Sequence, residues 1–539
     1  MRRIATIALP FVLSVMAGCP NRNQANCEQH TDCDRVAGGE CLPDPVTGGH
    51  WCSYPAGECD SGRRWEEPDT DPRIAGACVL VDGEVDAAQP DGPPADARID
   101  GSPDAAGVVQ WARAFGGTGN DPIRDIVVGS DESVLIVGAF ETSVSFGGSS
   151  FNSLGGSDAF VAKLSADGQH VWSKQFGGGS NDGSFAVALD SAGDVYVSGT
   201  FQGTADFDGQ SLTAGGASGD EFLIKLDGDT GARVWAVKLG YPLTDRQDLA
   251  VSADGQAIAV VGAFYGTINL GGSDLTAVGA DVAVAKYNGT GGHIWSRGFG
   301  GSGTDRGYGV VLLANGDVAI AGTYKGPANF GGAQPLAAAG SGTGGDAFVA
   351  RYASANGAYV WAGGYGGSDP SGEELFAIAA DADAVYVGGH FAASASFGGA
   401  ALMANGSDDA VLAKYDATTG SHIWSKRFGG PSYETIQRLA LDGGELWFSG
   451  YFSGQTTVGA TVLDSAGVAD VVYGHAAVGT GDFLGAGSVG GQGSETAAGV
   501  AISAGNVWVA GTFSTGFAMF GATLSPVAMT DLFVGRTQR

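Results

Sequence analysis

Cysteine, proline and cationic residues are scarce in this chain, and each scarcity excludes a class of protein. No cysteine follows Cys78 in the 539 residues, so most of the chain has no thiol for catalysis. Proline numbers 18 against 94 glycines, and so much glycine excludes long helices because each costs roughly 1 kcal/mol in a helix interior. Lys and Arg total 27 against 58 Asp and Glu, a net charge of −31. We therefore expect no nucleic-acid partner, since phosphates require clustered cations.

The glycine is accompanied by enough apolar sequence to fold. Hydrophobic residues make up 44% of the chain, and glycine has no three-residue period, which excludes both a disordered and a collagen-like chain. Many short strands joined by tight turns need this much glycine. The composition therefore predicts an all-β fold.

The first 18 residues are typical of an export signal. Arg2 and Arg3 precede an apolar run that is too short to span a bilayer. Met16 to Gly18 directly before Cys19 resemble the lipobox of bacterial lipoproteins, with Met16 where that family usually has Leu. The resemblance implies cleavage before Cys19, lipidation of its sulfur and an outer-membrane lipoprotein of the cell envelope held by this anchor. An ordinary secretory signal is the alternative.

Residues 19–81 form a cysteine-rich module. An even number of cysteines in a short exported segment predicts disulfide bonds that stabilise a domain with little core. Zinc is the alternative, but no Cys-x-x-Cys occurs in the sequence. The pairing stays open among the six cysteines, which are Cys27, Cys33, Cys41, Cys52, Cys59 and Cys78.

Residues 82–107 are expected to be a disordered linker. Seven acidic residues, a single base at Arg98 and mostly Pro, Ala and Gly otherwise leave nothing to bury. The linker separates the module from residues 108–539.

One motif recurs seven times in residues 108–539. Each copy has two predicted hairpins, as in FAVALD and DVYVSGTF followed by DEFLIKL and ARVWAVKL. Four strands per copy predict a seven-bladed β-propeller with four-stranded blades. The copies begin at Trp111, Trp172, Trp235, Trp295, Trp361, Trp424 and Leu484.

The two ends of the repeat region complement each other. The chain ends on a third strand from Asp531 that lacks an outer partner, and the region opens at Val108 with an outer strand that lacks a blade. We expect the two strands to pair and close the ring, which leaves no exposed edge.

These repeats resemble the SBBP family of propeller repeats found in bacterial secreted and surface proteins. The resemblance covers the propeller region and implies its fold, but the family shares no single activity. The matching residues are the Phe-Gly-Gly motifs at Phe115, Phe176, Phe299 and Phe428, the second such motifs at Phe146, Phe330 and Phe397, and the Asp-Ala-Phe-Val-Ala strands from Asp158 and Asp346.

A second resemblance concerns the turns before two of the tryptophans. Residues 226–235 and 415–424 are similar to the tryptophan-docking motif of quinoprotein propellers. That family includes quinone-dependent dehydrogenases and a lipid-anchored scaffold of outer-membrane assembly, and it normally has eight blades. Seven copies and the Phe-Gly-Gly motifs favour the first family.

Two acidic columns run through the aligned copies. An Asp opens every third strand, at 158, 220, 281, 346, 409, 470 and 531, and we expect it to accept N–H groups of the preceding turn. The second column opens the innermost strand, so its carboxylates are expected to ring one mouth of the channel. There they either bind a hard cation such as Ca²⁺ or cap their own Gly-Gly turns. Its members are Asp121, Asp182, Asp245, Asp305, Glu373, Glu434 and Glu495.

Positions where the copies differ are the candidate ligand-binding residues. In the Gly-x-Phe motif of the second strand, x is large and polar only at His390 and Tyr451 of adjacent blades. Tyr308 and Arg124, with Asp248 and Gln437, are expected near the same rim.

Catalytic motifs are not found in the sequence. It contains no G-x-S-x-G, H-E-x-x-H or P-loop motif, and among its many acidic residues no two are singled out for glycoside chemistry. We therefore expect a monomeric binding or scaffold protein with an envelope protein or glycan as its ligand. A hydrolase or lyase acting on a polysaccharide at the channel mouth is the alternative.

Overall fold

The computed structural model describes most of the repeat region and part of the cysteine-rich module. It covers residues 110–538 apart from 241–242, 340–343, 368–371 and 528–529, and leaves out the side chains of 244–246. The chain divides into two units between Ala95 and Asp96. Cys19, Cys27, Cys33, Cys59 and Cys78 lie outside the described residues.

In the first unit, the backbone of three short strands forms one antiparallel sheet. Its order is β1 (Glu40–Pro43), β2 (His50–Pro55) and β3 (Arg63–Trp65). The register places Cys41 opposite Cys52. The predicted disulfides themselves remain a prediction.

The second unit consists of strands β4 to β38, and no helix occurs among its described residues. The first part of the series contains β4 (Trp111–Phe115), β5 (Ile123–Val128), β6 (Val134–Val144), β7 (Phe151–Leu164), β8 (His170–Gly178), β9 (Gly183–Leu189), β10 (Val195–Phe201), β11 (Thr204–Asp206), β12 (Ser211–Thr213), β13 (Asp220–Leu226), β14 (Arg233–Gly240), β15 (Thr244–Val251), β16 (Ala257–Ile268), β17 (Leu275–Asn288), β18 (His293–Gly301), β19 (Arg306–Leu312), β20 (Val318–Tyr324) and β21 (Ala328–Asn329).

The series continues through the second half of the repeats. It contains β22 (Asp346–Tyr352), β23 (Tyr359–Gly367), β24 (Glu373–Ala380), β25 (Ala384–Ser396), β26 (Leu402–Asp416), β27 (His422–Phe428), β28 (Glu434–Asp442), β29 (Glu445–Phe452), β30 (Gln455–Val458), β31 (Thr461–Asp464), β32 (Asp470–Ala477), β33 (Phe483–Val489), β34 (Thr496–Ser503), β35 (Asn506–Phe513), β36 (Phe517–Met519), β37 (Ala522–Leu524) and β38 (Asp531–Gln538). Within the described part of the chain, no helix is long and apolar enough to cross a membrane.

The main strands pair antiparallel in groups of four, one group for each sequence repeat. We number them group 1 to group 7. Their orders are β5-β6-β7-β8, β9-β10-β13-β14, β15-β16-β17-β18, β19-β20-β22-β23, β24-β25-β26-β27, β28-β29-β32-β33 and β34-β35-β38-β4.

The middle two strands of each group are buried on both faces. All seven residues of β20 are buried, and β10 and β22 each have six buried residues of seven. Alternating strands with one wet face are the norm for antiparallel sheets, so continuous burial requires cover on both sides. Clusters of buried apolar side chains lie between each group and the next, including between groups 7 and 1.

The first strands of the groups contact one another in a closed cycle. β5, β9, β15, β19, β24, β28 and β34 follow in this order, and β34 contacts β5 again. Sheets that radiate from such a cycle and pack face to face form a propeller-like arrangement.

Seven separate four-stranded sheets were expected, and in that form the prediction is wrong. Hydrogen bonding produces six sheets of four or more strands in the described part of the chain, because groups 4 and 5 form one eight-stranded sheet. The join lies where Gly366 and Gly367, at the end of β23, pair with Ser396 and Ala395 of β25. A Gly-Gly end allows this because it has no side chain to separate the two backbones.

The predicted pairing of the two ends of the repeat region is confirmed. β4 pairs antiparallel with β38, so that Trp111 lies opposite Arg536 and Phe115 opposite Leu532. Group 7 therefore combines one strand from the start of the region with three from its end.

Each repeat tryptophan is hydrogen-bonded to the following group. Its indole N–H donates to a backbone carbonyl in the turn between the third and fourth strands of that group, at 2.9 to 3.1 Å. The donor and acceptor pairs are Trp111 and Ala166, Trp172 and Gly228, Trp235 and Gly289, Trp295 and Ser354, Trp361 and Ala417, and Trp424 and Val478.

The same turns place a glycine against the indole ring. Gly420 has a φ of 71°, and a Cβ built there would lie 2.7 Å from the Trp361 ring. Both the left-handed backbone and the close approach require glycine. The seventh copy has no tryptophan at this position, where its register puts Gly485 rather than the predicted Leu484.

We expect Trp361→Ala to destabilise the repeat region by roughly 3–5 kcal/mol, the usual effect of removing a buried aromatic side chain. The indole is 7% exposed and its contacts lie between groups 4 and 5. Denaturant unfolding followed by tryptophan fluorescence measures the change.

Val360→Ala is the matched control, because Val360 precedes Trp361 on the same strand and its side chain is 38% exposed. It should change the free energy of unfolding by less than about 0.5 kcal/mol. Equal effects of the two substitutions would contradict the interaction.

Candidate functional site

The innermost strands surround a small polar cavity on the axis of the ring. Its volume is about 170 Å³, and all seven groups contribute to its walls. Asp125 of β5, Asp248 of β15 and Arg438 of β28 supply its charged side chains. Of these three residues, only Asp248 was a candidate from the sequence.

The charges in this cavity do not balance. The Arg438 guanidinium forms an ion pair with Asp125 at 3.3 Å, and Asp125 and Asp248 accept N–H bonds from Val187 and Val310. Burial raises the pKa of Asp248 to about 6, although Arg438 lowers it. The carboxylates therefore join the first strands of different groups across the cavity.

At one side of the cavity, aromatic rings from groups 4, 5 and 6 form a continuous series that we call the aromatic chain. Neighbouring ring centroids are 5.0 to 5.5 Å apart. The order is Tyr308, Phe376, His390, Tyr433 and Tyr451. Three of the candidate residues, Tyr308, His390 and Tyr451, are thus brought together.

The two tyrosines at the group 6 end of the aromatic chain have the most accessible rings. Tyr433 and Tyr451 are half-buried and stack with an interplanar angle of 16°, whereas His390 is 8% exposed. Burial lowers the pKa of His390 to about 4, and its Nδ1 lies 3.4 Å from the Tyr433 hydroxyl oxygen. The imidazole is consequently neutral at pH 7 and is part of the packing.

Acidic side chains accompany the aromatic chain. The Tyr308 hydroxyl donates to Glu374 at 3.3 Å, and the carboxylates of Glu374 and Asp408 act electrostatically on Tyr433. Flat rings with carboxylates beside them suit a ligand that presents an apolar face and hydrogen-bond donors.

The remaining rim candidates have other neighbours. The Arg124 guanidinium carbon lies 6.0 Å from the centre of the Phe185 ring. Gln437 is 2% exposed and donates to the Thr435 hydroxyl.

Phe376 and Tyr433 are the members that sequence reasoning missed. Phe376 occupies the position of Tyr308 one copy later, and Tyr433 directly precedes the acid of the second column, where other copies have Asn120, Asn181 or Thr304. An aromatic residue at a position that is otherwise small and polar was the available signal.

The second acidic column is buried. Asp121, Asp182, Asp305, Glu373, Glu434 and Glu495 are each at most 4% exposed. Five of them accept the N–H of the second glycine of the preceding Gly-Gly at 2.6 to 2.9 Å. The carboxylates therefore cap their own turns.

Copy three departs from this column. In other copies the residue after the acid pairs with x of Gly-x-Phe, as Glu374 does with His390. In copy three Thr244 pairs with Ala263 at this position, so Leu243 takes the place that the sequence alignment gave to Asp245. The Asp245 side chain lies outside the described residues.

No group of three or more His, Cys, Asp or Glu residues suited to a metal ion is found in the described part of the chain. The acids of the second column belong to different groups. Ca²⁺ binding by them remains a prediction.

One further buried acid belongs to copy two. Glu221 is fully buried on β13, next to the third-strand Asp220. Burial raises the pKa of its carboxyl to about 8. Glu221 is therefore protonated in the folded protein at neutral pH.

Comparison with known proteins places this chain in no established family. No family model matches it, and no curated protein is similar. Solved structures that align with it include BamB from Moraxella catarrhalis, with 13% identity, 81% of this chain and 90% of that chain covered and a TM-score of 0.36.

Two further aligned structures come from other sources. Sqt1 from Chaetomium thermophilum has 10% identity, 79% of this chain and 98% of that chain covered and a TM-score of 0.39. The quinohemoprotein alcohol dehydrogenase of Comamonas testosteroni has 11% identity, with coverages of 79% and 76% and a TM-score of 0.33. Sequence identities and TM-scores this low do not allow a function to be assigned to this chain.

We expect Glu221→Gln to stabilise the protein at pH 8.5 and to have little effect at pH 5. A folded-state pKa of about 8 against the ordinary 4.5 means that the folded state holds the proton longer, so stability is lost as the pH rises through 8. The amide removes that loss. Melting temperatures measured from pH 5 to pH 9 test the expectation.

The exposed Asp229, on the turn after the same strand, provides the control. Asp229→Asn should shift the melting temperature equally at both pH values. A Glu221→Gln variant that is less stable than the parent at pH 8.5 would contradict a protonated Glu221.

Proposed function

We propose that this chain is a lipid-anchored protein of the bacterial cell envelope whose SBBP-type propeller binds a protein or glycan ligand at the aromatic chain. In this proposal Cys19 carries the lipid, residues 19–81 form a disulfide-bonded module, residues 82–107 are the linker and residues 108–539 are a seven-bladed propeller. The protein acts as a monomer and a scaffold of the outer membrane.

Three observations support seven blades. Each of the seven repeats supplies one group of four paired strands, the first strands contact in a cycle of seven, and apolar clusters occupy the space between every group and the next. The pairing of β4 with β38 joins the ends.

The aromatic chain is the observation that carries the binding function. It interrupts the repeat symmetry, since Ala139, Thr200 and Ala263 occupy the position that His390 and Tyr451 have in groups 5 and 6. Repeated residues build the ring, whereas side chains that depart from the repeat at one rim are available for recognition. Tyr433 and Tyr451 present ring faces, and the carboxylates of Glu374 and Asp408 act electrostatically on Tyr433.

This arrangement favours binding over catalysis. A general base at neutral pH requires a pKa near 7, and the imidazole of His390, with a pKa of about 4, is a weak base. Its ring is also packed between Phe376 and Tyr433.

A second candidate is a quinoprotein-like scaffold of outer-membrane assembly. The indole N–H bonds to the turn of the next group in six copies favour it, because the tryptophan-docking motif characterises that family. Recovery of outer-membrane assembly proteins in a pull-down from envelope extract would favour this candidate over a glycan ligand.

Tyr451→Ala should reduce ligand capture at least tenfold, since stacking on an aromatic ring contributes about 1.5 kcal/mol or more to recognition. The purified chain is immobilised for a pull-down from envelope extract and probed in parallel on a glycan array. Tyr265→Ala is the control, because Tyr265 is 47% exposed on β16 of group 3, outside the aromatic chain.

Two outcomes would contradict this assignment. Equal capture by the two variants would remove the aromatic chain from binding. Reproducible turnover of a polysaccharide that is lost in His390→Ala or Tyr451→Phe would replace the binding function with a hydrolase or lyase.

Cys19→Ser should move the protein from the membrane fraction to the soluble fraction and abolish incorporation of a palmitate analogue, because the sulfur is the proposed site of lipidation. Cys27→Ser leaves Cys19 intact and serves as the control for loss of a cysteine. Unchanged membrane attachment of Cys19→Ser would contradict the anchor.

A further inference from the structure

The two acidic columns meet where neighbouring groups join. The acid that opens the first strand of one group lies close to the Asp that opens the third strand of the group before it. Six such pairs occur among the described residues: Asp158 with Asp182, Asp281 with Asp305, Asp346 with Glu373, Asp409 with Glu434, Asp470 with Glu495 and Asp531 with Asp121.

The first glycine of Gly-Gly separates the two carboxyl groups. A Cβ placed on Gly300 would lie 2.6 Å from Asp305 Oδ2 and 2.7 Å from Asp281 Oδ1. At Gly177 the corresponding distances are 2.9 Å to Asp182 Oδ2 and 2.8 Å to Asp158 Oδ1. The pairs therefore have the same geometry, and any side chain at the glycine would occupy the gap.

The partners differ in how their oxygens are used. Asp305 accepts N–H bonds on both oxygens, from Gly301 at 2.7 Å and Lys325 at 2.9 Å. The third-strand Asp is nearly or fully buried, and one oxygen has no hydrogen-bond partner, which is Oδ1 of Asp158, Asp281, Asp470 and Asp531.

A buried carboxylate oxygen without a hydrogen-bond partner destabilises the folded state. A proton on that oxygen removes the negative charge that lies beside the facing acid. A metal ion fits less well, because the surrounding groups at Asp305 are N–H donors and a hard cation needs six or more oxygens.

We propose that four of these pairs, Asp158 with Asp182, Asp281 with Asp305, Asp470 with Glu495 and Asp531 with Asp121, each hold one proton on the unpartnered oxygen of the third-strand Asp, beside the facing first-strand acid, and lose it as the pH rises through about 6 to 7. The junctions between groups are then strongest in mildly acidic surroundings. This inference does not depend on the ligand of the aromatic chain.

The electrostatics agree with the geometry. Burial and, to a smaller extent, the facing Asp raise the pKa of Asp121, Asp182 and Asp305 to about 6 and that of Glu434 to about 7. Two coupled carboxyls titrate as one unit. Because these folded-state values exceed the ordinary 3.8 to 4.5, stability is greatest below that range and is lost as the pH rises through 6 to 7.

Backbone N–H groups and one tyrosine surround the pair of Asp281 and Asp305. Asp281 (β17) and Asp305 (before β19) face each other, and Tyr324 of β20 interacts with Asp305. From β18 and Lys325, backbone N–H groups approach. Neither carboxyl belongs to an ion pair among the described residues.

The junction of groups 2 and 3 has no acidic pair among its described side chains. Leu243 stands there in place of the first-strand acid, and the third-strand Asp220 instead forms an ion pair with Lys238 at 2.9 Å. Lys238 therefore neutralises Asp220, as Arg427 neutralises Asp409 at the junction of groups 5 and 6.

The test compares Asp281→Asn and Asp470→Asn, singly and together, with Asp220→Asn in the full-length chain. An Asn amide puts an N–H where the proposed proton lies. The melting temperature of each variant is measured by calorimetry from pH 5 to pH 8. The double variant should melt roughly 4 °C above the parent at pH 8 and within about 1 °C of it at pH 5.

Asp220→Asn should melt below the parent at pH 8, because it removes the ion pair with Lys238. Comparison among variants is necessary because the acidic surface alone also weakens the parent at high pH. If the melting temperatures of Asp281→Asn and Asp470→Asn at pH 8 both fall as far below the parent as that of Asp220→Asn, the proposed proton on the third-strand Asp is excluded. A rise in the melting temperature of the parent in 5 mM Ca²⁺ that is absent from the double variant would equally overturn it in favour of a cation.

Discussion

The hydrogen bond from a repeat tryptophan to the turn of the next group is the contact on which this ring depends. The indole N–H reaches a carbonyl that no strand of its own group provides, and its ring covers a glycine whose φ is positive. Six of the seven groups are thereby bonded to their successors. Group 6 has Gly485 at the tryptophan position and makes no such bond to group 7, whereas Trp111 on β4 bonds group 7 to group 1.

A second contact acts at the other edge of five junctions. The Gly-Gly of an outer strand donates to the acid of the next group and, at Gly366 and Gly367, pairs with its β25. Glycine is required because two backbones and two carboxyl groups meet in one place. The glycine content of the chain thus reflects contacts between groups as well as turns.

Function is expected where side chains depart from the repeat pattern. The charged cavity uses Asp125, Asp248 and Arg438 at a register position where the other copies have Ala or Gly, and the aromatic chain uses neighbouring groups only. Seven equivalent copies would present seven equivalent weak sites. One irregular rim next to a regular ring provides a single site of defined position.

The sequence by itself determined the all-β fold, the seven copies, the four strands of each copy and the pairing of the two ends, because strand periodicity and turn residues are local properties. It also identified Tyr308, His390 and Tyr451. Only the tertiary structure decided that Leu243 replaces Asp245 in the acid column, that Tyr433 joins the aromatic chain and that the two acidic columns meet. Register across a bulge and contacts between strands distant in sequence depend on packing, which no single strand encodes.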